Sequence, residues 1–132
     1  MSHATVLVVG PDYDAALAPF DENGPHPEQG KWDWYTLGGR FEARRSLIDT
    51  TGAEVLQCLR RDLNLEALHA RTYPRPWACF AIVTADGEWI ENGAWLDPGY
   101  DDAAEAAWAR RFNELVLAQP ADVLLSLVDF HS

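Results

Sequence analysis

Residues 31–41 read Lys31-Trp32-Asp33-Trp34-Tyr35-Thr36-Leu37-Gly38-Gly39-Arg40-Phe41. Three aromatic side chains fall within residues 32–35, with a carboxylate between two tryptophans. Tryptophan rings offer large rigid faces for stacking and for cations. Trp32 or Trp34 could carry a flat ligand such as a nucleobase. Gly38 and Gly39 let the backbone approach a ligand or take positive φ. Lys31 and Arg40 would neutralise an anionic group, Arg40 by a forked contact to phosphate or carboxylate. The same residues also suit a structural corner, with core tryptophans, a Gly-Gly turn and an Arg40–Asp33 ion pair.

Two further segments carry reactive groups. Glu22 and Asn23 sit in Pro19-Phe20-Asp21-Glu22-Asn23 and could accept or donate ligand hydrogen bonds, or serve only as turn formers. Asp129 and His131 share one face at strand spacing, so the carboxylate could orient the imidazole as a general acid or base. Tyr35 and Asp33 would assist that proton transfer. His3 lies in the N-terminal tail, His26 in a proline loop and His69 after the first helix.

Other chemistry lacks its signature. No histidine pair has metal-binding helical spacing, so no metal is expected. None of the four serines lies in a Gly-x-Ser-x-Gly context, and there is no phosphate-loop motif. No cofactor motif is present, so none is expected. Cys58 and Cys79 share no motif and read as free thiols.

The chain has 132 residues, 48% of them hydrophobic, which suits a single domain spanning 1–132 with a real core. Its net charge of −11 repels nucleic-acid backbones and anionic membranes. Neither partner is therefore expected, although screening within about 8–10 Å leaves room for a local cationic pocket. No apolar run approaches the roughly 18 residues of a membrane span. Nor does a basic segment precede Thr5–Gly10, so a cytoplasmic location is the expectation.

Thr5–Val9 is β-branched and stops at Gly10-Pro11, which predicts a buried strand. Asp14–Phe20 reads as a short helical turn, and residues 21–30 as a proline-glycine loop. In Trp32–Tyr35, strand alternation would place the tryptophans on one face and Asp33 and Tyr35, with Lys31, on the other. Thr51-Gly52-Ala53-Glu54 has capping-box spacing, and Val55, Leu56, Leu59 and Leu63 recur at helical intervals, predicting a helix over 52–64. Arg71–Pro76 reads as a linker and Trp77–Thr84 as a strand. Ala85-Asp86-Gly87 turns it into a hairpin with Glu88–Asn92. Asp101 or Asp102 caps a second helix with Ala104, Trp108, Phe112 and Leu115 on its apolar stripe, ended by Pro120. Asp122–His131 is the last strand. This order predicts an α+β domain with a ferredoxin-like split βαβ core. An insertion of roughly forty residues after the first strand carries the aromatic motif. It is expected to pack beside the last strand. A homodimer that covers an exposed face is a further expectation.

The chain resembles a family of small uncharacterised proteins from bacteriophages and actinobacteria. The resemblance rests on Val8-Val9-Gly10, Leu17 to Asn23, Lys31 to Phe41, and Val128-Asp129-Phe130-His131. The family pattern has tryptophan where Phe41 stands and cysteine where Phe130 stands. Any family chemistry needing that cysteine would be lost here. The resemblance implies a shared pocket formed by Glu22, Lys31, Asp33, Arg40, Asp129 and His131, and no particular reaction.

Three functions fit these residues. The first is a small-molecule binder for an anionic planar ligand such as a nucleotide, held by Lys31, Trp32, Trp34, Gly38, Gly39, Arg40, Glu22 and Asn23. The second is a cofactor-independent acid–base enzyme using His131, Asp129, Asp33 and Tyr35 on a small organic acid. The third is a phage-type inhibitor acting by protein–protein interaction.

Overall fold

The computed structural model describes residues 3–38 and 46–132. Gly39, Arg40 and Phe41 lie outside the described residues. The fold is mixed α+β, built on one large sheet. Strand β1 is His3–Val9. Asp12 caps the short helix α1, Tyr13–Leu17, by accepting the Ala15 N–H. The aromatic segment supplies β2, Trp34–Leu37. A small separate hairpin follows, β3 at Leu47–Ile48 and β4 at Glu54–Val55. Then come β5 at Gln57–Leu59, helix α2 at Leu65–Thr72, β6 at Ala81–Val83 and β7 at Trp89–Glu91. Helix α3, Asp102–Ala118, and strand β8, Leu124–His131, complete the described elements.

The order across the sheet is β2-β8-β1-β6-β7, with β5 also paired to β8. Strands β1 and β6 are direct parallel neighbours, and β7 returns antiparallel on the outer side of β6. A split βαβ core would place that returning arm between the two parallel strands. Here β1 already fills the inner edge of β6, so the Ala85–Gly87 turn hands β7 to the open edge. The sheet therefore does not reproduce the ferredoxin-like order.

Alternation along the central strands gives the sheet two apolar faces. Leu7, Val9, Ile82, Leu125 and Leu127 join Leu68 of α2 and Phe112 and Val116 of α3 in one core. Val6, Val8, Ala81, Val83, Val128 and Phe130 pack with Leu17, and with half-buried Phe20, Trp32 and Tyr35, in the other. Strand β8 is buried on both sides, which explains its nearly unbroken apolar run.

The helix expected over 52–64 is absent. Gly52 takes φ +86° in the β3–β4 turn, where Asp49 accepts the Thr51 and Ala53 N–H groups and the Thr51 hydroxyl. The hydroxyl contact is the main reason its carboxyl lies below the usual range. Gln57–Leu59 then pair with Leu124–Ser126. The ladder partners offered by β8 outweigh the helical spacing of the apolar residues. The helix forms later, capped by Asn64, whose side chain accepts the Ala67 N–H. It takes in His69 and Arg71, so the expected linker starts inside a helix.

Strand β8 is flanked on one side by two pieces of chain laid end to end. Residues Trp34–Leu37 pair with Val128–His131, and Gln57–Leu59 with Leu124–Ser126. At the junction Leu127 accepts the Gly38 N–H at 2.7 Å and donates its own N–H to Leu56 at 3.0 Å. Gly38 has φ +83°, and a Cβ there would lie 2.8 Å from both Leu56 methyl carbons. The close approach and the left-handed backbone each call for glycine.

Candidate functional site

The aromatic insertion does pair with the last strand, and this brings part of the predicted constellation together. His131 Nδ1 lies 2.7 Å from Asp33 Oδ1, and the Asp33 N–H donates to the His131 carbonyl. Asp129 is 1% exposed and its carboxylate lies 3.3 Å from Nδ1 of His3. His3 pairs with His131 across the β1–β8 ladder, and their ring centroids are 5.0 Å apart. Trp34 meets His3 edge-on at 6.2 Å. One end of the sheet thus carries Asp33, His131, His3 and Asp129 in succession, with Trp34 beside them.

The other predicted residues lie elsewhere. Trp32 and Trp34 do not share a face, because the strand begins at Trp34 and alternation does not reach back. Trp32 donates its indole N–H to the Leu17 carbonyl and packs edge-on against Tyr35, in the core on the α1 side. Tyr35 donates its hydroxyl to Asp14. Burial first, and then this contact, push its phenol well above the usual tyrosine range. Lys31 pairs with Glu91 at 3.2 Å, and the Trp89 indole N–H also donates to Glu91. Glu22 and Asn23 are exposed in a turn closed by Asp21, which accepts the Asn23 N–H. Gly38 serves the strand junction. Arg40 and Gly39 are outside the described residues.

A cleft of about 420 Å³ opens where β1 begins, between the sheet end, the first half of α3 and residues 92–100. Its walls include Phe80, Phe130, Trp95, Tyr100 and Trp108. Trp108 is fixed by donating its indole N–H to the Cys79 carbonyl, and Trp95 meets Tyr100 edge-on at 5.6 Å. Polar groups converge on it: His3, Thr5, Asn92, Tyr100 and Glu105. Buried Asn92 donates its amide to the Tyr100 hydroxyl at 3.0 Å, which leaves the phenol proton for a ligand acceptor. Glu105 is held by Arg75 at 2.6 Å, and Arg75 also reaches Asp102 at 3.1 Å. A second cavity of about 260 Å³ lies beyond this pair and shares Pro76, Glu105 and Ala109 with the first.

His3 joins the two regions. It lines the cleft and touches Trp34, His131 and Asp129. The sequence places it in a tail, yet His3, Thr5, Leu7 and Val9 continue one alternating face. Extending β1 back by two residues would have put His3 opposite His131.

Among the described residues no group of three or more His, Cys, Asp or Glu side chains could hold a metal ion. No described helix is long and apolar enough to cross a membrane. No family model, curated protein or solved structure matches the chain.

Cys58 is half-buried and Cys79 buried. Burial, reinforced by Asp62 and Asp49, pushes the Cys58 thiol up to about 11. The thiolate is the nucleophile, so alkylation at pH 8 should run about a hundredfold slower than for an ordinary thiol. The rate should climb about tenfold per pH unit up to pH 10. Iodoacetamide labelling followed by peptide mapping measures this for Cys58 alone. A flat pH profile would contradict the burial of the sulfur.

Proposed function

We propose that the protein binds a small, partly aromatic organic molecule in the cleft between the sheet end and α3. One observation carries this reading: a concave space of about 420 Å³ has aromatic walls and convergent polar groups from separate segments. That size and lining are typical of small-molecule sites. Trp95, Trp108 and Tyr100 would stack on the ligand, while Asn92, Tyr100 and His3 would fix its orientation. A nucleotide at Lys31–Arg40 draws less support, because Lys31 is engaged by Glu91 and Trp32 by the core.

A thermal-shift screen with a broad panel of aromatic metabolites tests the reading. A ligand at a hundredfold excess over Kd should stabilise the fold by about 2.7 kcal/mol. Trp95→Ala should abolish that shift, whereas Lys31→Ala should leave it unchanged. A hit that survives Trp95→Ala and vanishes with Lys31→Ala would move the site back to the aromatic insertion.

The contact between His3 and Asp129 favours a second reading, in which the cleft is catalytic. His3 would be the general acid or base and Asp129 would orient it. On that reading His3→Gln keeps ligand binding and costs about two to four decades of rate.

A further inference from the structure

The charges around the cleft specify the ligand more closely, on the reading that the cleft is a binding site. Among the described residues its lining contains neither lysine nor arginine, and the fixed charge on the wall is Glu105. Arg75 bridges Glu105 and Asp102 from the side of the second cavity, and this group of three carries one net negative charge. The described charges at the cleft are thus net negative, within a chain of net charge −11. Such a field concentrates cations and repels anions.

The walls point the same way. Trp95, Trp108 and Tyr100 face one space with Glu105. The negative faces of aromatic rings attract a desolvated cation, most strongly for tryptophan. A carboxylate beside two indoles and a phenol is a setting for an ammonium group, not for a phosphate.

We propose that the cleft recognises an organic cation, a protonated amine or quaternary ammonium carried on a flat apolar body. The body lies against Phe80, Phe130 and Trp108. The cationic head lies between Trp95, Tyr100 and Glu105, sharing the carboxylate with Arg75. Asn92, also on the wall, fixes Tyr100 by donating its amide to the hydroxyl.

Three probes with one indole ring separate charge from shape: tryptamine, tryptophol and indole-3-acetate. Calorimetric titration at pH 7 should rank tryptamine about tenfold or more above tryptophol, the size of gain that cation–π and carboxylate contacts supply. Indole-3-acetate should bind most weakly. Raising the salt should weaken tryptamine and leave tryptophol unchanged. Glu105→Gln should bring tryptamine down to the level of tryptophol without altering tryptophol. Trp95→Ala, at a side chain that is 55% exposed and safe for folding, should weaken tryptamine more than tryptophol. Equal binding of tryptamine and tryptophol overturns the cation proposal and leaves the cleft reading standing. Tightest binding of indole-3-acetate overturns it as well. Failure of tryptamine to bind overturns it whatever else binds. A silent broad panel removes the cleft reading too.

Discussion

Phe112→Ala is expected to lower the unfolding free energy by about 3–5 kcal/mol, the usual cost of truncating a fully buried phenylalanine. Phe112 is 0% exposed and sits at the centre of the contact between α3 and the sheet. Its ring meets Trp77 edge-on at 5.3 Å and Trp108 at 6.1 Å. Removing it leaves a space that neither indole can fill without giving up a hydrogen bond or its place in the core. A domain of this size has only about 5–15 kcal/mol in total, so the loss is a large fraction of the whole. The effect should extend to the site, because Phe112 supports the Trp108 wall of the cleft. Urea denaturation measures the stability change. Leu117→Ala, on the same helix but 55% exposed, is the control and should stay within about 0.5 kcal/mol of the parent protein. A loss below about 1 kcal/mol for Phe112→Ala, less than such a truncation costs in a packed core, would mean that α3 does not pack on the sheet as described.

Gly38→Val should cost about 1–3 kcal/mol, the range for a side chain held in a sparsely populated backbone region. Two causes act at this position and can be separated. The φ of +83° disfavours any L side chain, and a branched one most. The new Cβ would also stand 2.8 Å from the Leu56 methyl carbons. Leu56 is 41% exposed, so its side chain can swing away. Gly38→Ala is therefore expected to cost less than Gly38→Val. Adding Leu56→Ala to Gly38→Ala should recover the steric part and leave the backbone part of about 1–2 kcal/mol. The double-mutant cycle reads the coupling directly. Zero coupling would show that Gly38 and Leu56 do not abut.

The sequence reveals those elements whose signals are local. Val6–Val9, the Asp101 cap, Pro120 after α3 and the Ala85–Gly87 turn each mark a feature that the fold contains. What escaped depends on partners far away in the chain. Val55, Leu56, Leu59 and Leu63 have helical spacing, yet Leu56 and Leu59 lie beside β8, Val55 pairs with Leu47 and Leu63 bridges to Asp49, partners that no local pattern announces. The position of β7 follows from which edge of β6 was already taken. Trp32 and Trp34 alternate on paper, but only one of them lies in the strand. The cleft is the extreme case. His3, Cys79, Asn92, Trp108 and Phe130 come from distant segments, so no spacing rule relates them. The sequence predicts that Asp129 orients His131. The contacts seen instead join each to another segment, Asp129 to His3 and His131 to Asp33, which no local spacing announces.

The junction beside β8 has a bearing on how such a chain can change. Leu127 bonds to Gly38 on one side of the seam and to Leu56 on the other, and the ladder continues across it. Neighbours in space at this point are not neighbours along the chain. The sheet is continuous there through hydrogen bonds, not through peptide bonds. The register of each piece is held by its own ladder with β8. The seam is thus a natural splice point. New sequence grafted there would have to keep the β3–β4 hairpin in place, because Leu47 and Ile48, between the two pieces, are part of the core.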